Sequence, residues 1–181
     1  TLMEAVRPRD AELADAYNDM LRGSREHPQA RLWYTAWGAY RKNTGELVGD
    51  LCFKGPSAQP EIGYGMIEAF WGCGYATESA GAMCRWALAQ PGVTAVEAET
   101  APDNAASIRV LAKLGFQPTG TLGEEGPRFL LKNLRIPLDS HIMSGSMLFL
   151  SSKISARRYR NAEDRIIFKA VQSQYPHAAL L

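Results

Sequence analysis

Apolar and polar positions alternate with two different periods along this chain, and the changes of period mark out the elements. Residues 8–27, "PRDAELADAYNDMLRGSREH", place Leu13, Ala16, Tyr17 and Met20 at three- and four-residue steps behind Pro8. That spacing predicts an amphipathic helix. Residues 31–42, "RLWYTAWGAYRK", and 45–55, "GELVGDLCFKG", predict two strands, and the turn residues "KNTG" between them join the two as a hairpin. After the loop "GPSAQP", "EIGYGMI" at 61–67 predicts a third strand with Gly63 and Gly65 inside it. Glycine in a strand interior marks a bulge or a close approach by other backbone or a ligand.

A helix is predicted from about Tyr75 to Ala89, with Ala76, Ala80, Met83 and Ala87 on one face and Pro91-Gly92 ending it. "TAVEAET" at 94–100 alternates as a strand. Asp103 or Asn104 then caps a helix that runs to Leu114, with Gly115 suited to its C-terminal stop. "FQPTG" and "GPRFLLKN" predict a short and a longer strand. The order is α/β with mixed strand direction.

Past Lys132 the pattern weakens. "LRIPLDSHIMSGSMLFLSSK" is apolar without a clear period, and Tyr159, Ala162, Ile166 and Ala170 stand at helical spacing, so a strand followed by a helix is expected there. Charge divides at a similar place: residues 1–140 carry 14 Lys/Arg against 17 Asp/Glu, and residues 141–181 carry 6 against 2. The expected organisation is therefore a domain over 1–140 and a basic extension over 141–181. Its cluster Arg157, Arg158 and Arg160 is expected to be a solvated helix face.

Composition narrows the chemistry. The net charge of +1 gives no reason to expect nucleic acid or an acidic membrane as partner. Cys52, Cys73 and Cys84 make no CxxC pair and only three His are present, which argues against a zinc site or a disulfide scaffold. A reducing, cytoplasmic compartment fits. No signal peptide is evident and no apolar run approaches ~18 residues, so no membrane span is expected. The chain begins at Thr1 without Met, which leaves open whether residues precede it.

The stretch that invites chemistry is "EAFWGCGYATESA" at 68–80. Read as a dinucleotide fingerprint, Gly72 and Gly74 meet its first half but Thr77 takes the third glycine's place. The Walker pattern fails because no Gly-Lys-Ser/Thr is present. A plain turn is one reading that survives. The other takes strand, Gly-x-Gly and helix together: several backbone N–H groups converge at a helix N-terminus, where they and the helix dipole favour a pyrophosphate.

With its surroundings, "EIGYGMIEAFWGCGYATESAGAMCRWAL…VEAETAPDNAASIRVLAKLGF" resembles the GNAT superfamily of acetyl-CoA-dependent N-acetyltransferases, and most of all the branch that includes the ribosomal-protein N-terminal acetyltransferases. The likeness covers residues 31 to about 132. The family's phosphate loop, Arg/Gln-x-x-Gly-x-Gly/Ala, corresponds to Trp71, Gly72, Cys73, Gly74, Tyr75 and Ala76, with Thr77 following; Trp71 and Cys73 depart from it. Backbone donors do not depend on those side chains.

The resemblance implies a mostly antiparallel sheet flanked by helices, whose fourth and fifth strands splay so that the pantetheine of acetyl-CoA adds between them. The family's first strand would have to come from "TLMEAVR" or from upstream. Residues 62–67, including Met66 and Ile67, and 99–101 would then give backbone groups to the cofactor, with a free N–H near Ile67 as the oxyanion donor. Asn104 would contact pantetheine and Ser107 would donate to the thiol sulfur. Many members carry a Tyr acid four positions on, where this chain has Leu111.

Direct transfer to an amine needs a base, an oxyanion donor and a way to release the thiolate. Glu61 is either that base, acting through a water, or a strand-end surface residue. Ser107 is either the sulfur's donor or a surface helix residue. Glu78 is expected to balance the helix dipole or to cap the helix. Glu97 and Glu99 line either an acceptor site or a solvated face. Trp33, Tyr34 and Trp37 are expected in the core, and Cys73 is not expected to carry acetyl.

The function implied is acetyl transfer to a primary amine, a protein N-terminus or a small molecule, within a ternary complex. A CoA-binding sensor or structural partner that has lost its chemistry is the alternative. The tail after Lys132 replaces a missing edge strand, pairs with a second subunit in a homodimer, or folds as a separate small element.

Overall fold

The structure, a computed structural model, describes residues 11–132 and 166–170. Helix α1 spans Ala11–Glu26. A 3-10 helix follows at Pro28–Tyr34. Strands β1 (Trp37–Arg41), β2 (Leu47–Phe53) and β3 (Ile62–Met66) come next. Helix α2 (Tyr75–Leu88), strand β4 (Val96–Glu99) and helix α3 (Ala105–Leu114) continue the chain. Strands β5 (Gln117–Leu122), β6 (Pro127–Leu131) and β7 (Ile166–Ala170) complete the described elements.

The strands form two sheets, ordered β3-β2-β1-β7 and β4-β6-β5, and every pairing within them is antiparallel. The sheets meet at one parallel bridge, Glu61 with Glu97, where the Glu97 N–H donates to the Pro60 carbonyl at 3.0 Å. Beyond it β3 and β4 part into separate sheets. These are the two strands expected to splay.

The core lies between the sheets and helices α2 and α3. Leu51, Phe53 and Ile62 meet Tyr75, Met83 and Ala87 of α2 and Leu111 and Leu114 of α3 there. Helix α2 is buried nearly all round, from Glu78 to Cys84, and its Ala, Ser and Gly residues let neighbours close in on every side. Helix α3 follows an ordinary amphipathic pattern, with Asn104 at its N-cap and Gly115 left-handed at φ 91° after its last turn. Trp37 is buried, and Trp33 packs between Phe53 and Trp86, with ring centroids 5.1 and 4.6 Å away.

Two expectations about secondary structure need correction. Residues 31–34 are not strand but the end of the 3-10 helix. Pro28 starts that helix, and the Thr35 hydroxyl closes it by donating to the Arg31 carbonyl at 2.8 Å. Strand begins only at Trp37, whose indole N–H donates back to the Leu32 carbonyl.

Ile166 and Ala170 belong to a strand, not a helix. They pair with Arg41 and Trp37 at the two ends of the β1–β7 ladder. Ile166 and Phe168, two apart, are both buried, which is the strand period. Of the three roles open to the tail, the edge strand is the one this segment takes, and β1 becomes an interior strand buried along Trp37–Tyr40. The N-terminal segment "TLMEAVR", the arginine cluster at 157–160, Tyr159 and Ala162 lie outside the described residues.

Candidate functional site

The loop between β3 and α2 leads two left-handed glycines into the N-terminus of a helix. Gly72 and Gly74 both take left-handed backbone, at φ 76° and 88°, a region that costs a side-chain-bearing residue roughly 1–2 kcal/mol. Gly74 is the N-cap of α2 and offers no side chain to the first turn. The first intrahelical bond runs from Glu78 N–H to the Gly74 carbonyl at 3.1 Å. The N–H groups of Tyr75, Ala76 and Thr77 precede it and have no partner within the helix. Tyr75 places its ring in the core against Phe70, so only its backbone faces the loop.

Trp71, 65% exposed, donates its indole N–H to the Met66 carbonyl at 2.8 Å. The exposed Cys73 thiol leans toward the Trp71 carbonyl at 3.7 Å.

The edge of β3 corrects one expectation. Ile67 N–H is not free: it donates to the Val48 carbonyl at 2.9 Å. The Glu61 carbonyl likewise accepts from Lys54 N–H at 3.0 Å. Odd-numbered residues of β3 therefore bond to β2, and antiparallel alternation turns the N–H and C=O of Tyr64 and Met66 toward the gap that opens before β4. With the Met66 carbonyl taken by Trp71, the groups left to an inserted extended chain are the Met66 N–H and both groups of Tyr64. On the opposite bank the Glu97 N–H bonds to Pro60, so Glu99, two along, turns its backbone the same way.

Asn104 and Ser107 stand together at the start of α3. Asn104 Oδ1 accepts from Ser107 N–H at 3.0 Å. The Ser107 hydroxyl lies 2.9 Å from the hydroxyl of Tyr64. Leu111 is core, so no phenol stands at the helix position where many relatives have one. Tyr64 brings a phenol to Ser107 from the opposite wall instead. Burial pushes its pKa above the usual range and the Ser107 bond pulls it only partly back, so it holds its proton at neutral pH. Sequence reading passed over Tyr64; its signal was an aromatic residue between two glycines of a strand, which can side with only one face.

The carboxylates separate by their partners. Glu61, 18% exposed, is salt-bridged to Lys54 at 2.5 Å. Glu99 does not lie on a solvated face. Its side chain is 2% exposed and accepts from the N–H groups of Glu125 and Gly126 in the β5–β6 turn, with Arg128 alongside. Burial works against its charge, but those backbone bonds and Arg128 outweigh it and hold its pKa below the usual range. Glu97 sits half-exposed at the bridge. Glu78, in the first turn of α2, is no N-cap; its buried carboxylate accepts from Ile166 N–H at 3.4 Å and ties α2 to β7.

A family model described as an acetyltransferase (GNAT) domain matches residues 2–117. The chain belongs to this family. It is 32% identical over 111 residues to the uncharacterized N-acetyltransferase YoaA of Bacillus subtilis (strain 168), a match covering 60% of each chain and so less than two thirds of that relative.

Two solved structures share the GNAT fold. An acetyltransferase from Agrobacterium tumefaciens str. C58 is 19% identical with a TM-score of 0.54, over 70% of this chain and 74% of that one. The ribosomal-protein-S5-alanine acetyltransferase from Vibrio fischeri is 18% identical with a TM-score of 0.51, over 65% and 70%. Among the described residues no group of His, Cys, Asp and Glu is arranged to hold a metal ion, and no helix is long and apolar enough to cross a membrane.

Proposed function

We infer that this GNAT protein transfers an acetyl group from acetyl-CoA to a primary amine. The observation that carries the reading is the left-handed Gly72-x-Gly74 turn at the N-terminus of α2, beside the gap where β3 and β4 part. The backbone N–H groups of the first turn and the positive end of the helix fit a pyrophosphate. The open edge groups of Tyr64, Met66 and Glu99 fit an extended amide chain such as pantetheine. Acetyl-CoA supplies the activated acetyl group.

The protein's own groups do the rest. The Met66 N–H stands on the edge of the gap as the donor for the carbonyl oxygen as charge builds on it. Asn104, with its carbonyl used as a cap, keeps its amide N–H₂ for the bound chain. Tyr64 and Ser107 hold a proton for the departing sulfur. The motif order resembles the ribosomal-protein N-terminal acetyltransferase branch, which makes a peptide α-amine the first acceptor to try, ahead of small-molecule amines.

Thermal unfolding tests the cofactor half. CoA at a hundredfold excess over its dissociation constant should raise stability by ~2.7 kcal/mol, and NADH should not. A shift with NADH and none with CoA would reject the reading.

A further inference from the structure

The face of β2 and β3 turned away from Ser107 carries a second set of groups. Cross-strand pairs set Asp50 against Gly65 and Cys52 against Gly63, and Lys54 lies beside Glu61 one pair further on. Two carboxylates share this face, and they differ in their partners. Glu61 has its charge matched by Lys54. Asp50 accepts a hydrogen bond from the Tyr17 hydroxyl of α1 at 2.9 Å, and among the described residues no cation pairs with it. A phenol orients a carboxylate without neutralising it.

The neighbouring strand leaves this carboxylate uncovered. A Cβ at Gly65 would stand 3.5 Å from Asp50 Oδ1, and one at Gly63 would stand 3.4 Å from Cys52 Sγ. Any larger residue at 65 would lie over Oδ1. Gly65 also follows Tyr64 directly, so Asp50 faces the strand from one side, next to the point where the Tyr64–Ser107 pair faces it from the other.

We propose that Asp50 receives the acceptor as an ammonium ion over Gly63 and Gly65 and takes its proton, with Tyr17 positioning the carboxylate. The proposal rests on the acetyltransferase reading and specifies its substrate class as a cationic primary amine. The ammonium gives one proton to Asp50, and the free nitrogen forms the C–N bond as the thioester C–S bond breaks. The nitrogen's second proton passes to solvent, the sulfur takes one from the Tyr64–Ser107 pair, solvent returns a proton to that pair, and Asp50 releases its own to solvent.

The test uses the full chain, Asp50→Asn and Tyr17→Phe. CoA binding is measured by calorimetry. The ratio kcat/KM is measured from pH 6 to 9 on a short peptide with a free N-terminus, a linear diamine and n-butylamine. Asp50→Asn should bind CoA like the parent and lose roughly 10²- to 10⁴-fold in kcat/KM, a defect that shrinks as pH rises and free amine accumulates.

Burial holds the Asp50 carboxyl above the usual range and the Tyr17 bond pulls it partly back, so Tyr17→Phe should move the acid limb of kcat/KM to still higher pH, which a merely structural Tyr17 would not cause. That limb decides the matter should Asp50→Asn fail to fold. Parent-like kcat/KM in Asp50→Asn, or an unmoved acid limb in Tyr17→Phe, overturns the proposal and leaves the acetyltransferase reading standing. A parent that binds CoA and acetylates none of the three amines overturns both.

Discussion

The hydroxyls of Tyr64 and Ser107 lie 2.9 Å apart, joining β3 to the first turn of α3 on the core side of the gap where β3 and β4 part. If this pair returns a proton to the departing sulfur, Tyr64→Phe and Ser107→Ala should each lower kcat while leaving CoA affinity unchanged. The loss should stay below the roughly 10²-fold typical of an essential general acid, because a free thiol has a pKa of about 8.5 and its thiolate leaves tolerably unaided. The deficit should grow from pH 7 to 9, where solvent protonates the thiolate less readily. Turnover that is parent-like across that range would reduce the pair to a structural tie.

Gly74 separates two effects of one position. Gly74→Ala keeps the loop open but forces a side chain into left-handed backbone, so unfolding should show a cost of roughly 1–2 kcal/mol. Gly74→Glu adds bulk and a negative charge where the pyrophosphate is proposed to lie. Its CoA binding should be abolished, while Gly74→Ala still binds. Equal CoA affinity in parent and Gly74→Glu, measured by calorimetry, would place the phosphates elsewhere.

Glu61→Gln distinguishes the two carboxylates of the acceptor face. Its charge is already matched by Lys54, so turnover should fall far less than in Asp50→Asn. Lys54 is about half exposed, and losing the pair should cost no more than ~1 kcal/mol. A loss of kcat as large as that of Asp50→Asn would return the base to Glu61.

Glu99 sets an acid limit on the β5–β6 turn. Its pKa is lowered on folding, so its contribution is complete above the ordinary value of 4.5 and is lost as pH falls through the lower folded value. Glu99→Gln should cost about 1.5–3 kcal/mol at pH 7, since the charged oxygen that accepts both backbone bonds becomes a neutral amide oxygen and the partner of Arg128 is lost. The gap between parent and variant should narrow below pH 4.5 in denaturant titrations. A gap that stays constant into acid would show that the charge of Glu99 does not support the turn.

Much of the fold could be read without coordinates where the signal was local. Helix α3 needed only its Asn104 cap, its apolar spacing and Gly115, and the observed ends agree. The β1–β2 hairpin followed from turn residues between two apolar runs, and the turn into α2 from two glycines before a helix. Ile166–Ala170 was misread because a strand five residues long also matches part of a helical spacing, and only its pairing with β1 decides between them. Residues 31–34 failed for a related reason: Pro28 and the packing of Trp33 against Trp86 override strand propensity.

The sequence by itself determined the family, the order of the elements and the loop that turns backbone N–H groups outward, because each rests on residues close together in the chain. Tertiary structure decided which groups meet. Ile67 N–H was lost as an oxyanion donor because β-ladder register commits it to Val48, nineteen residues away. Tyr64 gained Ser107, Asp50 gained Tyr17 and Glu99 gained the β5–β6 turn, across separations of 26 to 43 residues. Hydrogen-bond partnership depends on distances of about 3 Å between side chains. No spacing within one segment can specify those distances once the partners lie on different elements.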